Sequence, residues 1–143
     1  MSDPYRLERF ITAQDQAGVY QHALGELRSG QKTSHWMWFI FPQILGLGSS
    51  TTAREYAISG LDEARAYLKH PVLGPRLREC AAAVGTTDGR SARDIFGYVD
   101  ALKLRSSMTL FAAAAPDEPE FADVLAKYFD GEPDEATLSR LGG

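Results

Sequence analysis

Cysteine is nearly missing from this chain of 143 residues; Cys80 stands alone. That excludes an intrachain disulfide and a thiolate cluster for zinc. Long hydrophobic runs are missing too. The longest, Trp36 to Phe41, falls far short of the about 20 residues a bilayer-spanning helix needs. The first ten residues interleave charges with apolar side chains, unlike a signal sequence. The expectation is a soluble, cytoplasmic protein with no membrane contact. Nor is there an excess of positive charge, since 15 Lys and Arg face 19 Asp and Glu for a net charge of −4. Phosphate backbones are drawn to concentrated positive fields, so no nucleic acid is expected as partner. The three histidines, His22, His35 and His70, share no helical turn, and no His-Glu-x-x-His occurs, so no metal is expected. No cofactor motif is present either. No stretch alternates apolar and polar residues long enough to make a half-buried strand.

What is present suits a packed globule. Hydrophobic residues make up 44% and aromatic residues 10%. A chain of this length can bury about 70% of its unfolded surface. Pro4 can open a first helix with Leu7, Phe10 and Ile11 on one face, and Gly18 breaks it. Val19, Tyr20, Ala23, Leu24 and Leu27 form a second stripe that stops at Gly30. Ser34 to Phe41 reads as a short buried helix ended by Pro42, since a lone strand has nothing to pair with. Ser50 or Thr51 can cap the helix holding Arg54 to Ala57. Ser59 and Asp62 resemble a capping box, as do Ser91 and Asp94. His70-Pro71 separates two helices, because the residue before proline is pushed out of helical geometry. Asp100 can cap the longest helix, which runs to Ala115. Phe121 to Phe129 gives another, stopped at Asp130-Gly131, and a last short one can start at Asp134. The predicted fold is all-α, a single domain over residues 1–143 with about seven or eight short helices in irregular orthogonal packing.

The densest chemistry lies in Lys32-Thr33-Ser34-His35-Trp36-Met37-Trp38-Phe39-Ile40-Phe41-Pro42-Gln43. As a helix it sets His35 beside Trp38 and Phe39. Two readings stand. In one the block is a central core helix with His35 hydrogen-bonded near its start. In the other a face carrying Trp36 or Trp38 lines a cavity for a flat ring, with His35 moving a proton. Lys32 and Gln43 bracket the block, either as solvated turn residues or as ligand contacts. Gly46-Leu47-Gly48-Ser49-Ser50 leads into a helix and is either a tight turn with a serine cap or an anion site built on Gly48, Ser49 and Ser50. It lacks the lysine of a phosphate-binding loop and the third glycine of a dinucleotide fingerprint. Lys103, Ser106 and Ser107 share one side of an otherwise apolar helix, where they converge on a ligand or cap a neighbouring loop. Cys80, in an apolar helical run, reads as a small buried hydrophobe.

The tryptophan-bearing block, with Gly46 to Ser50, Tyr56-Ala57-Ile58, Glu63 to Leu68, His70-Pro71, Leu73 to Leu77 and Leu102 to Phe111, resembles the family known as domain of unknown function 1810. That resemblance implies a small multihelical domain with no established activity, and it adds Tyr56 to the candidate ligand contacts. The stretch Glu63 to Leu73 is also similar to a segment of the N-glycosidases associated with NAD and ADP-ribose, where a comparable helix packs beside the ligand. By that similarity Glu63 joins His35 as a candidate acid or base. Two functions follow as expectations. One is an enzyme or binder of small nucleotide-like molecules, with N-glycosidic hydrolysis as its most concrete chemistry. The other is a non-catalytic interaction module, monomeric or homodimeric, marked by an exposed apolar patch.

Overall fold

The computed structural model describes residues 3–142. Its helices are α1 (Glu8–Asp15), α2 (Val19–Ser29), α3 (Met37–Ile40), α4 (Thr51–Glu55), α5 (Leu61–Lys69), α6 (Leu73–Thr86), α7 (Ala92–Phe96), α8 (Tyr98–Ala114), α9 (Pro119–Phe129) and α10 (Glu135–Arg140). Among the described residues the only β feature is an isolated bridge between Ile44 and Ile58. The protein is all-α, as the periodicity predicts.

The organising element is α8. Its buried side includes Leu104, Met108, Leu110 and Phe111, and helices α5, α7, α9 and α10 pack around it. A helix apolar on nearly every face must be covered on nearly every face. Helix α6 packs on α2, α5 and α9, and one contiguous core joins all of these layers. The turn between α5 and α6 is very close. A Cβ at Gly74 would lie 2.1 Å from the carbonyl oxygen of Leu68, so only glycine fits. No helix of the described residues is long and apolar enough to cross a membrane.

Several local expectations need correction. The segment expected as a central helix over Ser34 to Phe41 is a single turn, Met37–Ile40. Trp36 is drawn out of the helix because its indole N–H donates to Glu26 at 2.9 Å, and Pro42 closes the other end. The central position belongs to α8. Helix α1 starts at Glu8 rather than near Pro4, because Asp3 accepts from the backbone N–H groups of Leu7 and Glu8 at 2.8 and 3.1 Å. Asp62 forms no capping box with Ser59. Glu63 takes that place and accepts from the Ser59 N–H at 2.9 Å. Asp100 lies inside the first turn of α8, which begins after Gly97.

Other signals match their elements. Ser91 and Asp94 form a reciprocal capping box on α7, Ser50 caps α4 and Asp134 caps α10. Gly30 and Asp130 end α2 and α9 in left-handed geometry.

Candidate functional site

The residues from Gln31 to Trp36 form an irregular loop, and its shape depends on Glu26. This carboxylate accepts from the backbone N–H of Thr33 at 2.7 Å and of Ser34 at 3.0 Å, from the Ser34 hydroxyl at 2.6 Å, and from Trp36 Nε1 at 2.9 Å. Burial opposes its charge, but these donors outweigh burial and hold the carboxyl at about 2. The Lys32 N–H donates to the Ile95 carbonyl at 2.7 Å, which fastens the loop to α7. Helix α7 passes into α8 through Gly97 at φ +81°, a geometry that favours glycine. Loop and helix start therefore meet.

They enclose a cleft of about 430 Å³ lined by Lys32, His35, Trp38, Tyr98, Asp100 and Lys103, with Gly97 and Val99 on its wall. Its charged centre is a triad. Asp100 forms ion pairs with Lys32 Nζ at 2.9 Å through one oxygen and with Lys103 Nζ at 3.4 Å through the other. The Lys32 side chain is only 7% exposed and also donates to the Ser34 carbonyl. Each ammonium stands 4.9 Å from the centre of a tryptophan ring, Lys32 over Trp36 and Lys103 over Trp38. Two cations thus share one carboxylate among the residues that line the cleft, while the Glu26 carboxylate lies behind Ser34 and Trp36. Tyr98 and Val99 on its rim are each 62% exposed.

A second pocket of about 260 Å³ adjoins the first. Val99 and Lys103 line both, and Gln43, Gly48, Ser106 and Asp134 complete it with apolar neighbours. One oxygen of Asp134 accepts from Ser106 Oγ at 3.0 Å, from the Thr137 N–H at 3.1 Å and from Thr137 Oγ1 at 2.6 Å. Its backbone N–H donates to Thr109 Oγ1. Ser106 therefore holds a neighbouring loop while Lys103, on the same helix, faces the cleft.

The candidate residues separate clearly. Lys32, His35, Trp38 and Lys103 line the first cleft, and Gln43, Gly48, Lys103 and Ser106 the second. Trp36 is buried, its ring covered by Phe41 and Phe96 as well as by Lys32, so no ligand reaches it without rearrangement. Tyr56 packs edge-on to Phe39 with ring centres 4.7 Å apart and belongs to the core margin. Ser50 Oγ is spent on the Ala53 N–H, so the glycine loop is a capped turn, and Ser49 lines neither pocket. Ser107 is fully buried, its hydroxyl without a hydrogen-bond partner among the described residues, and no base contacts it. Glu63 lies elsewhere, 3% exposed and tied to Arg9 at 3.1 Å. Cys80 is sealed in α6, and burial first of all pushes its thiol up to about 12.

Three contributors escaped the sequence reading: Glu26, Asp100 as an ion-pair partner, and Tyr98. A trace of the first existed. Glu26 falls in the last turn of α2, where a carboxylate opposes the helix dipole and needs some other reason to be there. Among the described residues no group of three or more His, Cys, Asp or Glu side chains gathers as for a metal ion.

A family model described as protein of unknown function (DUF1810) matches residues 4–141. Among solved structures, the chain is similar to the crystal structure of the conserved hypothetical protein Rv1873 from Mycobacterium tuberculosis. The two share 52% sequence identity over 99% of each chain, with a TM-score of 0.95. No curated protein matches.

Proposed function

The chain belongs to the DUF1810 family, and from the cleft it carries we propose that it binds a small nucleotide-like molecule combining an anion with a flat ring. One observation carries this reading: two lysines share the single carboxylate of Asp100 against an indole face. An exposed, purely structural ion pair balances its charges, whereas this arrangement keeps a cation in reserve within an aromatic wall. Lys32 is already committed to Ser34, Asp100 and Trp36. Lys103 is the movable partner. An arriving phosphate draws it off Trp38, and the freed indole face takes the ring in its place. A cation–π contact costs only about 0.5–2 kcal/mol to give up, less than a charge-assisted bond to phosphate returns.

The reaction that suits these groups is hydrolysis of an N-glycosidic bond. As the carbon–nitrogen bond breaks, water adds its oxygen to the anomeric carbon and returns its spare proton to the acid that protonates the leaving purine. In this reading His35, exposed at the cleft, is the acid that gives up that proton and takes it back. Asp100, paired with two ammoniums, serves as a counter-charge for the cation forming at the sugar. Glu63 has no part in it, since Arg9 and Ser59 occupy both its oxygens.

Calorimetry with AMP, ADP and NAD tests binding, and chromatographic detection of released base tests turnover. We expect binding that Lys103→Met weakens at least tenfold and base release that His35→Ala removes. No binding by the folded protein would overturn the first statement, and unchanged release in His35→Ala the second.

A competing reading is an interaction module. It is favoured by Tyr98 and Val99 at 62% exposure and Leu102 at 46%, close together on one side of α8. Light scattering distinguishes the two, because self-association that Val99→Glu and Leu102→Glu abolish would support the module.

A further inference from the structure

The second pocket asks for a ligand longer than a ring and an anion. Resting on the binding reading above, we infer that the ligand is a nucleoside diphosphate bearing a sugar, whose terminal sugar occupies the pocket of Gln43, Ser106 and Asp134. The continuity is physical: Val99 and Lys103 belong to both walls, so Lys103 stands between the two cavities. A group that engages Lys103 from the aromatic cleft has its far end directed into the second pocket. Ring, anion and third group are set in that order by the order of Trp38, Lys103 and Asp134.

The chemistry of the third group follows from its walls. Asp134 is rigidly presented, since three donors hold one oxygen and Thr109 holds its backbone N–H. Its other carboxylate oxygen accepts no hydrogen bond among the described residues, and the Gln43 side-chain amide is likewise without a hydrogen bond there. A carboxylate oxygen accepting and an amide both donating and accepting suit hydroxyl groups that do both. A cationic group is disfavoured because the Lys103 ammonium guards the entrance. A second anion is disfavoured by Asp134 itself. An apolar group would strand the carboxylate, although Leu47, Val99, Leu102 and Ala136 can cover the carbon face of a sugar ring. A polyhydroxylated ring is what remains.

The test compares matched ligands by calorimetry: ADP against ADP-ribose, and UDP against UDP-glucose. In the unaltered protein we expect each sugar-bearing compound to bind at least tenfold more tightly than its diphosphate. Ala136→Phe projects a ring into the second pocket from an exposed position of α10 and should cut that ratio to within twofold, leaving ADP affinity unchanged. Gln43→Ala should cut it about threefold. Asp134→Asn, which keeps the helix cap, should remove most of the remaining gain. If ADP binds but the sugar adds nothing, or if the gain survives Ala136→Phe, the sugar subsite is wrong while the anion-and-ring cleft stands. If neither diphosphate nor sugar conjugate binds, the cleft reading itself fails and takes this inference with it.

Discussion

Two ion-pair clusters in this molecule use the same ingredients to opposite ends. In the first, Arg9 reaches from α1 to the start of α5. Its five N–H groups donate to the carbonyls of Tyr5, Arg6, Glu55 and Ala57 and to Glu63, while Glu63 accepts additionally from Ser59. The Arg9 and Glu63 side chains are 11% and 4% exposed, and one charge meets one charge. In the second, Asp100 meets Lys32 and Lys103, and the count comes out one cation over. The first cluster is closed in its hydrogen bonds, every N–H of the guanidinium being used, although it borders a shallow cavity of about 330 Å³. The second is open to solvent on one side and short of a carboxylate. The difference lies in the donors left over: Arg9 has none, whereas the Lys103 ammonium makes only an ion pair at 3.4 Å and keeps its N–H groups for a guest.

Breaking the closed cluster should have the largest effect on stability. Glu63→Ala leaves the Arg9 guanidinium buried without its counter-charge, and a cost of about 3 kcal/mol is expected in urea unfolding, with calorimetric affinity for AMP unchanged once the protein is folded. Loss of AMP binding in the folded variant would show the clusters to be coupled. Breaking the open cluster should cost less. Asp100→Asn removes the partner of the nearly buried Lys32 and should destabilise by about 2 kcal/mol, but it should also tighten AMP binding severalfold while stopping base release. Weaker binding in that variant would contradict the surplus-charge argument.

The loop beneath the open cluster gives a smaller, pH-dependent effect. The folded Glu26 carboxyl sits at about 2 against an ordinary 4.5. A depressed folded value means that its contribution is fully present above the ordinary value and fades as pH falls from about 4.5 toward about 2. Thermal unfolding followed across that window should therefore fall more steeply in the native protein than in Glu26→Gln, with the two curves converging at low pH. Parallel curves would place the loop's stability elsewhere. Lys103→Met should change stability least, within about 0.5 kcal/mol, since the side chain lies at the surface of a helix that keeps its apolar contacts. Its whole expected effect is on anion binding.

Legibility differs between these regions for a physical reason. Helix caps at Ser50, Ser91 and Asp134 could be read because a cap and its donors lie within three residues. The stops at Gly30 and Asp130-Gly131 could be read because backbone geometry there is a property of one or two residues. The tryptophan block was readable as buried and aromatic but not in its exact shape. Its helix is cut to one turn by Glu26, which approaches from α2 and pulls Trp36 aside. Lys32, His35, Trp38 and Lys103 could be named from their types and neighbours. That they share one cleft, and that Trp36, Tyr56, Ser49, Ser107 and Glu63 do not, depends on which face each helix turns inward. A 3.6-residue period does not decide that on a helix apolar all round.

By itself, the order of amino acids determined an all-α globule, most of its helix boundaries and a dense aromatic segment beside basic residues. These properties arise from interactions within a few positions along the chain and from a composition rich enough in apolar surface to bury a core. The spacing of Asp100 and Lys103, three residues apart on α8, is local; only the tertiary structure decided that Lys32 would join them from a remote loop, that Glu63 would be locked away from His35, and that two pockets would meet beside the α8 start. Each of these is a contact between segments far apart in sequence, set by how α8 is packed, and no local pattern encodes which remote carboxylate an ammonium will find.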